Sequence, residues 1–219
     1  MFVGHYSAAF VAKAVEPRVP LWVLILAAQL VDAFWAALVL LGAEHARLDP
    51  AQPSNPLDLY HMPFTHSLVG AALCAYAAGV VAARAPWAGG FRRAGVAVGL
   101  VVLSHWVLDL LVHQPDLTLW GAPPKLGLGL WDFPLFAYLL ELALVTGSAA
   151  FYAVRCSLTA RAIGVLAGGV GALAVFQAVV VFGSSPLSVP ASVLSALVVL
   201  AAVSYSGFRF ERWAKEAAG

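Results

Sequence analysis

Apolar residues run nearly unbroken through six stretches of this chain, at roughly 20–42, 66–85, 94–113, 134–154, 160–183 and 187–207. Each reaches the ~20 residues that a helix needs to cross a ~30 Å hydrocarbon layer, and none alternates with the two-residue period of a barrel wall. Backbone groups in lipid must be satisfied within their own segment, which excludes an open sheet. The pattern predicts an all-α integral membrane bundle of about six transmembrane helices. Residues 1–16 are apolar but too short to span at ~1.5 Å per residue. They are expected to form a half-span helix that dips inward and turns back near Lys13, Glu16 and Arg18. Polar residues collect in two loops, about 43–65 and 114–133, where Pro53, Asn55, Pro56, Gly121 and Pro123 are turn formers.

Composition supports this reading. Of 219 residues 62% are hydrophobic and 11% charged, against roughly 45–50% and about 25% for a soluble domain. One transmembrane domain over residues 1–219 is expected, with 1–155 bearing the chemistry and 156–219 serving as scaffold. The net charge of +1 argues against a nucleic-acid partner and leaves the lipid bilayer and a small amphiphilic substrate. Of the twelve Lys and Arg residues, only Arg47 and Lys125 lie outside if both termini are cytoplasmic, which is the arrangement that the positive-inside rule favours. Cys74 and Cys156 read as small buried hydrophobes without a disulfide. Met1-Phe2-Val3-Gly4-His5-Tyr6 has neither a basic cluster nor a convincing cleavage site and reads as mature protein.

Ionisable residues inside spans cost roughly 2.5–3.5 kcal/mol each at mid-helix, so each is a functional candidate. Asp32, His66, His105 and Asp109 stand out. His105 and Asp109, at i and i+4, share one helix face and can hold one ion. Measured from the nearest inside charge, His105 lies about 18 Å deep, Asp109 about 24 Å, Asp32 about 21 Å and His66 about 27 Å, with His5 about 17 Å in on the half-span. Five candidate metal ligands, His5, Asp32, His66, His105 and Asp109, therefore share one layer in the middle-to-outer half of the membrane. Histidine and aspartate without paired thiolates suit zinc, manganese or iron. The set accommodates two ions with a bridging carboxylate, or one ion with His61 or His5 outside its coordination sphere. His61 and Asp109 are the candidates for moving the proton. His113 and Asp116 are expected as caps at the outer surface, and His45 as a solvated loop residue. Trp131 is expected to anchor at the interface, while Lys125 and Glu141 are left open between structural and functional roles.

His61-Met62-Pro63-Phe64-Thr65-His66-Ser67, followed by a span and then Ser104-His105-Trp106-Val107-Leu108-Asp109, resembles the YdjM-like, membrane-bound metal-dependent hydrolases of bacterial inner membranes. The resemblance covers about residues 1–115, including His5 and Asp32. That family often carries two aspartates at the end of the first span, where Gln29-Leu30-Val31-Asp32 has one. The His-x3-Asp pair is more distantly similar to zinc-dependent phospholipase C. The resemblance implies a bacterial cytoplasmic-membrane hydrolase whose metal, zinc first, activates water. The depth of the ligands points to a lipid or amphiphilic phosphoester arriving from the outer leaflet. The alternative reading is a transporter or binding protein whose His and Asp residues carry metal ions or protons.

Overall fold

Tyr6–Val15 forms α1, preceded by a 3-10 turn at Val3–His5. At ten residues it is ~15 Å long, the short helix that the apolar start predicts. It stops where Pro17 and Pro20 forbid continuation, and the chain turns back. The next apolar run is broken at Gln29 into α2 (Leu21–Ala28) and α3 (Leu30–Leu40), bent by 50°. Gln29 leaves helical geometry (φ −112°, ψ 12°), and its Nε2 donates to the Phe2 carbonyl at 2.8 Å. The antiparallel strands β1 (His45–Leu48) and β2 (Leu57–His61) pair Arg47 with Asp58 and Leu48 with Leu57. They occupy the loop between α3 and α4 (Leu68–Ala83), whose start is capped by Ser67 Oγ accepting from Gly70 N at 3.0 Å. After α5 (Arg92–Val112) comes a second small hairpin, β3 (Leu117–Thr118) with β4 (Lys125–Leu126). Then follow α6 (Pro134–Arg155), α7 (Ala160–Phe182) and α8 (Val189–Glu216). Pro134 opens α6, where a missing N–H costs nothing, and Thr159 Oγ1 caps α7 from 3.2 Å. This computed structural model describes every residue except Asn55, Gly90, Phe91 and 217–219, so the turn expected at Asn55 lies outside the described residues.

The bundle is all-α apart from the two hairpins, as expected, but its spans differ in number. Among the described residues four helices, α5 to α8, are long and apolar enough to cross a membrane, or five if the bent pair α2–α3 is one span. The stretch expected as a sixth span yields α4, whose 16 residues rise only ~24 Å. The chain spends the rest of that stretch on the turn that brings His66 inward.

The long helix α5 runs beside α4, α2 and the 3-10 turn at Val3–His5, and α1 packs against α6 and α2. Small residues allow α4 and α5 to touch closely: a Cβ on Gly79 would stand 2.8 Å from the Gly95 carbonyl oxygen. Tyr6, Leu24, Val31, Val98, Val102 and Val145 belong to the buried core beneath the loops. The bundle thereby holds the N-terminal turn, the α2–α3 break, the start of α4 and the end of α5 around one point.

Candidate metal centre

Three buried polar residues, His105, Asp109 and His113, lie four residues apart along one face of α5 and its continuation. Asp109 is central. Its Oδ1 lies 3.0 Å from His5 Nε2, 3.4 Å from His113 Nε2 and 2.7 Å from the Met1 amino group. Its Oδ2 lies 3.0 Å from His105 Nε2 and 3.7 Å from His66 Nε2. Across from it, Asp32 Oδ1 is 3.4 Å from both His66 Nε2 and His105 Nε2. The His5 and His105 rings stack at 3.7 Å.

The opposite ring nitrogens show how the imidazoles are held. His105 Nδ1 donates to the Ala28 carbonyl at 2.9 Å, at the break between α2 and α3; a carbonyl only accepts, so the proton sits on Nδ1. His113 Nδ1 donates to Asp116 Oδ1 at 2.8 Å. Thr65 Oγ1 spends its one proton on Glu44 Oε2 at 2.6 Å, so it accepts from His66 Nδ1 at 3.0 Å. Glu44 is fully buried and also accepts from the amides of Phe64 (2.8 Å) and Thr65 (2.9 Å). All three rings thus carry their proton on the outward nitrogen and present the Nε2 lone pair inward. This is the usual way in which histidine ligands are oriented by their outer partners.

Lone pairs aimed at carboxylates do not satisfy one another. Among the described residues His5 Nε2, His105 Nε2 and Asp109 Oδ2 are buried without a hydrogen-bond partner, despite separations near 3 Å. A buried polar atom left unpaired costs about 1–3 kcal/mol, and a cation between the donors removes that cost. Three triads bring their ligand atoms within 4.8 Å of one another: His5, His105 and Asp109; Asp32, His66 and His105; and His66, Asp109 and His113. The nitrogen and oxygen donors, with both cysteines free elsewhere, fit a divalent transition metal.

The structure gathers His5, Asp32, His66, His105 and Asp109 into this cluster and leaves His61 out. His61 is exposed at the end of β2, its ring 5.4 Å from that of His45, while the next residue, Met62, turns inward. The strand sets that orientation, because successive side chains point to opposite faces. His113, expected as a surface cap, is 2% exposed and belongs to the cluster, and Asp116 orients it. The i, i+4, i+8 spacing from His105 was a usable signal; Glu44, distant in sequence from Thr65, offered none. Glu141 is also buried, accepting from the amides of Phe2 (2.8 Å) and Gly4 (3.0 Å) and from Gln177 Nε2 (3.0 Å), so it clamps the turn that carries His5. Lys125 Nζ donates to the Tyr60 carbonyl and ties the two loops together. Trp131, half-buried just before α6, packs its ring on that of His113 at 4.2 Å.

A cavity of about 380 Å³ opens beside the cluster, reached by Asp32, His66 and His113. The chain matches no protein-family model, no curated protein and no solved structure.

Proposed function

We propose that this protein is a membrane-embedded, metal-dependent hydrolase acting on an amphiphilic phosphoester. The observation that carries the reading is the set of imidazole Nε2 lone pairs, fixed from behind, that converge on Asp32 and Asp109 at the edge of a cavity. A bound zinc, or manganese or iron in its place, would polarise the ester and bring a water's pKa near 7. His5, His66, His105, His113 and the two carboxylates are the residues to hold it. Asp32 is the most accessible of them, its side chain 28% exposed, and it borders the cavity. On this reading Asp32 takes a proton from an attacking water and returns one to the leaving alcohol, since His61 is exposed outside the cluster. The resemblance of the His61–Ser67 and Ser104–Asp109 segments to membrane-bound metal-dependent hydrolases supports the same reading. The same resemblance suggests a bacterial cytoplasmic membrane. The Lys and Arg residues at the α1–α2 turn, the α4–α5 and α6–α7 connections and the end of α8 support placing that side inside. This puts the centre toward the outer leaflet, with Met1 at the centre rather than in the cytoplasm.

Metal analysis of protein purified without chelator tests this directly. One or two transition-metal ions per chain are expected, with phosphoester hydrolysis lost to chelator and restored by zinc. Protein without stoichiometric metal would overturn the proposal and leave the cluster as a network of imidazolium–carboxylate pairs. Metal uptake into proteoliposomes without hydrolysis would favour a transporter instead.

A further inference from the structure

The two C-terminal helices, expected as scaffold, supply a wall of the cavity that begins at the candidate centre. Its inner end is polar, with Asp32, His66 and His113. Its side wall is mostly apolar, built by Phe176 and Val180 of α7 and by Ala196 and Leu200 of α8, with Gln177, Ser192 and Ser195 among them. Along α8 the wall runs from Ser192 to Leu200, a rise of ~12 Å. Val179 and Val180 border the cavity while being 63% and 42% exposed on the flank of a helix long and apolar enough to span. The cavity therefore breaks the surface sideways, on a face that lipid covers, a few residues from the α7–α8 connection.

Such a shape selects an amphiphile. A water-soluble phosphoester would engage the carboxylates and imidazoles but leave the apolar wall to a separate lipid chain, whereas an amphiphile matches the polar and the apolar part of the cavity at once. A hydrocarbon chain beside α7 and α8 covers that wall and loses little by leaving lipid, since both surroundings are mostly apolar. From these observations we infer that the groove between α7 and α8 holds the hydrocarbon chain of a long-chain phosphate ester, entering laterally from the membrane with its phosphate at Asp32, His66 and His113. The headgroup half of this inference rests on the hydrolase reading; the chain half does not.

The test uses the full-length protein in detergent micelles and a long-chain alkyl phosphate carrying a photoreactive diazirine at the end of its chain. Cross-links are expected in Phe176–Val181 and Ser192–Leu200, and inorganic phosphate should not abolish them. Ala196→Leu, which fills the groove, should reduce labelling there by about fivefold or more. Metal content, unchanged in this variant, certifies that the centre still forms. The inference is overturned if cross-links spread evenly over the lipid-facing sides of α4, α5 and α6, or if Ala196→Leu labels like the parent. An alkyl diazirine without phosphate separates the two halves: it should label the same groove more weakly if the headgroup contributes, and equally if it does not. Absence of metal sinks the hydrolase reading alone, while the cross-link map still decides the groove.

Discussion

Thr65 has one hydroxyl proton and two acceptors within reach, and that scarcity sets the tautomer of His66. Replacing it with Val keeps the shape but frees the ring to turn, so metal affinity should fall about 10- to 100-fold. Thr65→Ser should keep most of it, as a competition titration with a chromogenic chelator would show. His105→Ala and Asp109→Ala should empty the centre, while expression survives because an ionisable group has left the apolar interior. His113→Ala should also lower metal content, since its Nε2 lies 3.4 Å from Asp109; full occupancy in that variant would return His113 to the role of a cap. Only neutral imidazoles and ionised carboxylates bind a cation, so metal affinity should rise with pH until the ligands are fully deprotonated, and calorimetry in buffers of different ionisation enthalpy should detect protons released as the pH is lowered.

At the level of elements, the centre depends on how closely α4 and α5 approach, because one carries His66 at its mouth and the other carries His105 and Asp109. Gly79 faces the Gly95 carbonyl oxygen across that contact, and a side chain there must push backbone away. Gly79→Val should cost roughly 1–3 kcal/mol through overpacking and weaken metal binding without touching a ligand. Thermal unfolding in detergent, read beside metal content, would separate this from a local effect: stability and occupancy should fall together. The break at Gln29 acts differently. It bends α2 away from α3 and leaves the Ala28 carbonyl facing His105, which a continuous helix would not offer.

Across the whole molecule, the turn between α1 and α2 is tied to the last part of α8 through Lys13 and Glu211. Lys13 Nζ donates to the carbonyls of Pro17 (2.7 Å) and Val19 (2.9 Å) and to Glu211 Oε1 (2.6 Å), and Leu21 N donates to Glu211 Oε2 (2.9 Å). The Lys13 side chain is 6% exposed and that of Glu211 12%. Glu211→Ala would strand a buried ammonium at a cost of about 3–5 kcal/mol, whereas Lys13→Met with Glu211→Leu should recover most of it. Midpoints of thermal unfolding for the two variants check this. A single variant as stable as the parent would show that water reaches Lys13.

How much of this was legible beforehand follows from which properties are local. Six apolar runs, the short N-terminal helix and the cost of His5, Asp32, His66, His105 and Asp109 among apolar neighbours are all readable along the chain, because transfer free energy and helical rise depend on residue type and spacing alone. Depth counting even placed those five in one layer. The rest belongs to tertiary structure. Sequence neighbours His61 and His66 were separated because a strand and a turn rotate one outward and the other inward. Distant residues were joined because packing alone decides which faces meet: Glu44 reaches Thr65, the Ala28 carbonyl reaches His105, and α7 and α8 close on the cavity. Hydrophobicity says that a helix is buried or lipid-covered, but it does not say which neighbour it faces, and that choice fixed the tautomers, the exposed side of Asp32 and the opening beside it.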